Sequence, residues 1–167
     1  MARRLNHAFL VLLAALLAGC DHATKRAASV FLAELPPVRV VPGVFDLRYA
    51  ENHDMAFSLL RGWTHPDKAL LLALLPSAML LFVALLWWRR RSAPLVEQTG
   101  YALIVGGAVG NVIDRVARGY VVDFFHIRYW PVFNVADVAL VAGMALLVLS
   151  ARWERSGGRP STAMRSP

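Results

Sequence analysis

The stretch that decides the fold runs from Gly106 to Asp137 and reads GGAVGNVIDRVARGYVVDFFHIRYWPVFNVAD. It sets a few polar residues into an otherwise apolar and aromatic sequence, and long apolar segments lie on both sides of it. A charged side chain near hydrocarbon is costly, so such residues are by default candidates for function. The polar clusters in this stretch that we take as candidates are, in chain order, Asn111, Asp114 with Arg115, Asp123, and Asn134 with Asp137.

The composition indicates a membrane protein of one domain. Of the 167 residues, 57% are hydrophobic and only 17% are charged, whereas soluble domains carry about 25% charged residues. The net charge of +7 comes almost entirely from arginines that flank the apolar blocks, which favours a role in membrane topology over nucleic-acid binding. The apolar blocks lead us to expect membrane lipids as partners, and no nucleic acid. The single cysteine and the five histidines show no metal-ligand spacing, so we expect no metal or cofactor.

The fold class predicted from the apolar blocks is an all-α membrane protein with four transmembrane helices. About twenty apolar residues are enough to cross the roughly 30 Å hydrocarbon core. Four glycines between Gly100 and Gly110 have a spacing near three or four, which predicts that a neighbouring helix packs closely against the third span. The predicted spans are Ala8 to about Leu32, Ala69 to Trp88, Val96 to Ile113, and Asn134 or Val135 to about Ser150.

The segments between the spans predict a small extramembrane part. Glu34 to Pro66 is the longest stretch without helix character, and its alternating residues predict a β-rich loop between helices 1 and 2. Tyr120 to Phe133 is aromatic and β-branched, and we expect it to lie along the membrane interface. The predicted four-helix transmembrane domain covers residues 1–151, followed by a basic, disordered cytoplasmic tail over 152–167.

The arginines also predict the orientation of the chain. An even number of spans places both termini on one side of the membrane, and that side carries most of the arginines. The positive-inside rule then puts both termini in the cytoplasm and the polar cluster at the outer face. Arginines on the side of the termini are Arg3, Arg4, Arg89, Arg90, Arg91, Arg152, Arg155, Arg159 and Arg165, against Arg39, Arg48 and Arg61 in the long loop.

The first apolar segment has two interpretations. Arg3 and Arg4, the short apolar run and Leu17-Ala18-Gly19-Cys20 resemble the signal peptide and lipobox of a bacterial lipoprotein, in which Cys20 would become a lipidated N-terminus. Alternatively, the helix continues through Asp21 and Lys25 and is retained as a span. These two residues are four apart, so they share a helix face and could form an ion pair.

The clustered polar residues allow three kinds of role. Two carboxylates at a poorly solvated site share a proton, and the pair can act as general base and general acid in peptide hydrolysis. The chain between Asp123 and Asp137 is short enough to double back, so these two carboxylates can meet at the outer interface. Paired aspartates also relay protons or bind cations in transporters. Finally, the residues could be structural, with Asp114 and Arg115 as an ion pair and Asp137 favoured by the helix dipole.

Five motifs in order resemble the bacterial lipoprotein signal peptidases (signal peptidase II) over nearly the whole chain. Such enzymes remove the signal peptide from prolipoproteins that carry diacylglycerol on the lipobox cysteine, and act in the bacterial inner membrane. The resemblance implies diacylglyceryl prolipoproteins as substrates and inhibition by globomycin-type peptide antibiotics. The matching segments are Asp21 with Lys25, Asn52 to Ser58, Gly110 to Arg115, Gly119 to Phe124, and Phe133 to Asp137.

The resemblance also implies roles for individual residues. Asp123 and Asp137 would be the catalytic pair, and Asp21 with Lys25 would support the site from a retained first helix. Asp114 would orient Arg115. Residues implied in substrate binding are Asn52, Asn111, Asp114, Arg115 and Asn134.

One position departs from the pattern of these peptidases. Asp54 stands where the motif Asn-x-Gly-Ala-Ala-Phe-Ser has glycine. Glycine adopts left-handed backbone conformations that aspartate tolerates less well. We therefore expect this loop to differ in shape and the additional carboxylate to influence the titration of the pair.

Overall fold

The computed structural model describes residues 2–53 and 68–156, in which four helices and three strands form. The helices are α1 (Ala2–Phe31), α2 (Lys68–Arg89), α3 (Leu95–Arg118) and α4 (Val135–Arg155). The strands are β1 (Val38–Val41), β2 (Phe45–Asn52) and β3 (Val121–Ile127). The mostly helical membrane-protein fold is therefore confirmed.

Helix α3 is the centre of the bundle, because it contacts each of the other three helices. Among the described residues, the helices long and apolar enough to cross a membrane are α1, α2 and α4, with candidate spans His7–Phe31, Leu70–Arg89 and Val135–Trp153. Helix α3 carries more polar residues, and it buries them against protein. Its buried polar and charged residues are Glu97, Gln98, Asn111 and Asp114.

The glycines of α3 allow the close packing that their spacing predicts. A Cβ atom at Gly106 would lie 2.8 Å from the carbonyl oxygen of Ala14 in α1. At Gly107 it would lie 2.6 Å from the carbonyl oxygen of Ala136 in α4. Contacts this short exclude any larger residue without backbone movement, so α1 and α4 each approach α3 closely at neighbouring glycines.

The end of α3 differs from the prediction. The helix continues beyond Ile113 to Arg118 and ends at Gly119, whose φ of 80° is left-handed. Glycine adopts this conformation without steric cost, and it is the usual residue just after a helix. Asp114 and Arg115 therefore lie on helix α3 itself and not in a connecting loop.

The three strands form one antiparallel sheet in the order β1-β2-β3. The β-rich loop after α1 supplies β1 and β2, as predicted. The third strand comes from Val121–Ile127, within the segment expected to lie flat along the interface. Val122 and Phe124 of β3 pack on Ala28 of α1 in a buried cluster. This packing explains why the segment forms a strand, because one of its faces is covered by the helix.

The chain doubles back after β3. Tyr129 has a φ of 68° in the turn, and Phe133 then exchanges backbone hydrogen bonds with Phe125 at 2.8 and 2.9 Å. These bonds hold the start of α4 beside β3. Helix α4 runs to Arg155, beyond residue 151, where the predicted domain ends, and residues 157–167 of the predicted tail lie outside the described residues.

Candidate active site

Asp123 is a buried carboxylate of β3 that accepts hydrogen bonds from two amides. Asn134 Nδ2 donates to its Oδ1 at 2.6 Å, and Asn52 Nδ2 donates to its Oδ2 at 3.0 Å. Asn52 reaches it from β2, whose pairing with β3 sets Ala50 opposite Asp123. Burial and, to a smaller extent, the negative charge of Asp137 raise the pKa of Asp123 to about 7. Asp123 therefore gains and loses its proton near neutral pH.

Asp137 lies in the first turn of α4 and forms a capping box with Asn134. The Asp137 Oδ2 atom accepts from the backbone N–H of Asn134 at 3.1 Å, and Asn134 Oδ1 accepts from the backbone N–H of Asp137 at 3.0 Å. This arrangement satisfies N–H groups that would otherwise lack partners at the start of a helix. Asp137 is thus both a cap of α4 and a member of the polar cluster.

Two asparagines connect the carboxylates. Asn134 contacts both aspartates, because its side-chain amide donates to Asp123 while its backbone donates to Asp137. Asn111 donates from Nδ2 to Asp137 Oδ1 at 3.0 Å and accepts from Asn134 Nδ2 at 3.2 Å. The structure therefore brings Asp123, Asp137, Asn111, Asn134 and Asn52 into one hydrogen-bonded cluster. Four of these residues come from different elements, β3, α4, α3 and β2.

A fully buried ion cluster lies next to the amides. Lys25 contacts Asp21 at 2.7 Å and Asp114 at 3.0 Å, and all three side chains have zero exposure. The predicted pairing of Asp21 with Lys25 is therefore confirmed. Asp21 Oδ1 also accepts from the backbone N–H of Ala136 at 2.9 Å, so α1 helps to cap α4. Gly110 faces this cluster, and a Cβ atom there would collide with the Asp21 carboxylate.

The two charged neighbours on α3 point to different partners. Asp114 contacts Lys25, approaches Arg118 at 3.6 Å, and accepts from the backbone N–H of Val122 at 3.4 Å. Arg115 donates to the backbone carbonyl of Asn111 at 3.3 Å and lies near the charges of Asp137 and Asp123. The role of Asp114 in orienting Arg115 stays a prediction, as do the substrate-binding roles.

Several features of the site were missed by the sequence analysis. Arg118 was not considered, although its spacing of four from Asp114 on one helix could have indicated the contact. The bond from Lys25 to Asn111 joins residues 86 positions apart, so no local pattern indicates it. Asp54 and the rest of its motif through Ser58 lie outside the described residues. Within the described residues, no group of three or more His, Cys, Asp and Glu side chains could hold a metal ion.

The fold and the site define a helical membrane protein with two aspartates joined by asparagine amides. The sequence profile of the Signal peptidase (SPase) II family matches residues 13–153. The chain belongs to this family, and it is a protein of the bacterial inner membrane.

Individual relatives agree with this assignment, and a solved structure shares the fold. The chain is 36% identical to a lipoprotein signal peptidase of Solibacter usitatus over 81% of this chain and 85% of the relative. It is 45% identical to a lipoprotein signal peptidase of Haemophilus ducreyi over 67% of this chain and 71% of the relative. A bacterial membrane enzyme solved in meso at 2.3 Å resolution has the same fold, with a TM-score of 0.79, 22% identity, and coverage of 94% of this chain and 95% of that one.

Proposed function

We propose that this chain removes the signal peptide from diacylglyceryl-modified prolipoproteins, with Asp123 and Asp137 as the catalytic pair of an aspartic endopeptidase. Membership of the signal peptidase II family supports signal-peptide removal. The observation that supports the aspartic mechanism is the contact of Asn134 with both carboxylates, which holds them at one site.

The surroundings of the two aspartates favour different roles for them in acid–base catalysis. Asp123 is 3% exposed, and its pKa is raised to about 7, so a substantial fraction of it still carries the shared proton near neutral pH. Asp137 lies at the N-terminus of α4, where the helix dipole favours a charged carboxylate. Asp137 is therefore the general base, and Asp123 is the general acid.

Hydrolysis follows from these roles. Asp137 takes a proton from a water molecule, and the water oxygen attacks the carbonyl carbon of the scissile peptide. Asp123 donates a hydrogen bond to the carbonyl oxygen as negative charge develops there, and its proton reaches the leaving amine when the tetrahedral intermediate collapses. The scissile bond is the one before the lipidated cysteine of the substrate. Arg115, close to both carboxylates, is a substrate-binding group in this mechanism.

The proposed topology places this chemistry at the outer face of the membrane. All four helices cross the membrane, including α3, whose polar residues are buried against the other helices. Both termini lie in the cytoplasm, as the arginine distribution indicates. A reporter that is active only in the cytoplasm should work after Arg91 and fail near Asp46, and the reverse pattern would overturn this placement.

The function is tested by cleavage of a diacylglyceryl prolipoprotein by the purified protein in detergent. Asp123→Asn and Asp137→Asn should each lower kcat by at least about 1,000-fold, and the double variant should be little worse than either single, because residues that act as a unit are not additive. Cleavage by either single variant near the wild-type rate would contradict the proposed role of that residue.

Two controls distinguish a loss of catalysis from a loss of folding. Asp46→Asn removes a carboxylate from β2 that pairs with Arg48 and His126 away from the catalytic pair, and it should leave cleavage intact. Because Asp137 also caps α4, the thermal unfolding of Asp137→Asn must be compared with that of the wild type. If the wild-type protein instead coupled ion flux to solute uptake and left the prolipoprotein intact, a transporter function would replace the peptidase.

A further inference from the structure

Lys25 makes a contact that an ion pair with Asp21 does not require. Its Nζ atom donates to Asn111 Oδ1 at 2.7 Å, in addition to its contacts with Asp21 and Asp114. An ammonium group has three hydrogens and no acceptor capacity. Oxygens of Asp21, Asp114 and Asn111 therefore surround the ammonium group of a side chain that has no exposure to solvent, and Asn111 is the neutral acceptor among them.

This contact determines which way the Asn111 amide faces. If the amide were turned over, its NH₂ group would face the ammonium, and two donors would oppose each other in a buried place. An unsatisfied buried donor is destabilising, and more so beside a positive charge. The oxygen of Asn111 therefore faces Lys25, and its NH₂ group faces Asp137 Oδ1, to which it donates at 3.0 Å.

The same orientation extends to the second aspartate. The oxygen of Asn111 also accepts from Asn134 Nδ2, whose amide donates to Asp123. The Asn134 oxygen is held by the backbone N–H of Asp137. Each carboxylate thus accepts a hydrogen bond from an amide group whose orientation is fixed by a further contact. Among the groups that make these further contacts, Lys25 alone carries a full charge.

We propose that Lys25 is a positioning residue for catalysis, which orients the Asn111 amide and through it the two aspartates, beyond its part in a structural ion cluster. This inference rests on the proposed function, because it concerns the same catalytic pair. Lys25 does not touch the substrate, since it is enclosed by α1 and α3. The expected consequence of its loss is a lower kcat with an almost unchanged KM.

The experiment must remove Lys25 without leaving an uncompensated charge. Removing one partner of a buried ion pair is strongly destabilising, so Lys25→Met alone is a poor test. The double variant Lys25→Met/Asp21→Asn removes one charge of each sign and leaves Asp114 with Arg118 at 3.6 Å. Asn at position 21 retains an oxygen for the backbone N–H of Ala136, so the cap on α4 is kept.

A matched control is present at the other end of α3. Arg90→Met/Glu97→Gln also removes one ion pair that involves a buried carboxylate, but far from the catalytic pair. We expect kcat of Lys25→Met/Asp21→Asn to fall about 100-fold, the loss that a misplacement of about 1 Å produces. We expect KM to change less than about twofold, and the control to keep the wild-type kcat after correction for the folded fraction.

The pH profile gives a second readout, because it reports the charge that Lys25 places near Asp123. The positive charge of Lys25 lowers the pKa of Asp123, in opposition to burial and the charge of Asp137. Its loss should shift the alkaline limit of kcat to higher pH in Lys25→Met/Asp21→Asn and not in the control. A double variant with the wild-type kcat and pH profile would overturn the proposal, while cleavage by the wild type keeps the proposed function.

A measurement on the wild-type protein covers the case in which the double variant does not fold. Solid-state NMR of protein labelled with ¹⁵N in lysine and ¹³C in asparagine should show a through-space contact between Lys25 Nζ and the side-chain carbonyl carbon of Asn111. The contact should persist throughout the pH range of activity. Its absence in active wild-type protein would overturn the positioning role, and failure of the wild type to cleave prolipoprotein would instead overturn the proposed function.

Discussion

Two buried carboxylates mark the two ends of α3, and their partners differ in charge. Glu97 in the first turn of the helix is held by Arg90, whose guanidinium contacts both carboxylate oxygens at 2.8 and 3.1 Å. Asp123, just beyond the other end, is held by the neutral amides of Asn52 and Asn134 and lies near a second carboxylate. Both side chains are well buried, at 6% and 3% exposure.

The comparison shows why one carboxylate is structural and the other is suited to chemistry. A guanidinium that binds a carboxylate through two hydrogen bonds holds it strongly and in one fixed geometry. Amide donors align a carboxylate without a full opposing charge, so burial and a neighbouring carboxylate still raise its pKa. In this molecule the kind of donor, and not the depth of burial, distinguishes the two ends.

The largest expected effect comes from giving Asp123 the kind of partner that Glu97 has. Asn52→Lys places an ammonium group beside the Asp123 carboxylate, so its pKa should fall and its proton should be lost at neutral pH. Because Asp123 is the proposed general acid, kcat should drop by at least about 100-fold. The measurement is cleavage of diacylglyceryl prolipoprotein, together with thermal unfolding to verify the fold.

Asn52→Ala is the control for this change, because it removes the amide donor without adding a charge. It should lose less activity than Asn52→Lys, and its alkaline limit should move to higher pH and not to lower pH, because the hydrogen bond from Asn52 lowers the pKa of Asp123. Equal losses in the two variants would mean that the charge of the partner is unimportant, and the comparison between the two ends of α3 would fail.

The second effect concerns pH. The pKa of Asp123 is raised from its ordinary value near 4 to about 7, so the folded protein loses this proton only as the pH rises through 7. Cleavage should therefore decrease about tenfold per pH unit above pH 7. For the same reason the stabilisation from this proton is complete below pH 4 and is lost by pH 8. The melting temperature of the wild type should therefore fall over that range.

Asp123→Asn checks the assignment, since it has no titrating group at this position. Its melting temperature should fall less between pH 4 and pH 8 than that of the wild type. An identical decrease in both proteins would assign the titration to another group.

The smallest effect is expected at the opposite end of the helix, and it is an effect on stability. Arg90→Met leaves the Glu97 carboxylate without its guanidinium, which should lower the free energy of unfolding by about 1–2 kcal/mol. This is less than for a fully buried pair, because the Arg90 side chain is half exposed. Adding Glu97→Gln should recover part of the loss, and both variants should cleave normally. Thermal unfolding and cleavage in the same detergent measure both quantities.

Local patterns in the sequence predicted much of this structure. The spacing of Asp21 and Lys25 predicted their ion pair, and the glycines of α3 predicted close helix packing. The short segment after Asp123 was expected to double back, and it does so. Each of these features depends on residues near one another in the chain or on simple periodicity, which the sequence displays directly.

The features that were not predicted depend on distant residues. The strand character of Val121–Ile127 is stabilised by β2 and by Ala28 of α1, neither of which is nearby in sequence. The continuation of α3 to Arg118 follows from the burial of Asp114 against Lys25, although Gly119 was a local signal for the helix end. Aromatic and β-branched composition alone does not distinguish a strand from an interfacial segment.

The cap that α1 provides to α4 has a consequence for biosynthesis. Asp21 is made early, and the backbone N–H of Ala136 that it binds is made 115 residues later. Asn52 of β2 likewise has its hydrogen-bond partner Asp123 only after α3 and β3 have been synthesised. The site is therefore incomplete on the ribosome until α4 has docked against α1, so we expect a nascent chain to have no peptidase activity while its own apolar segments enter the membrane.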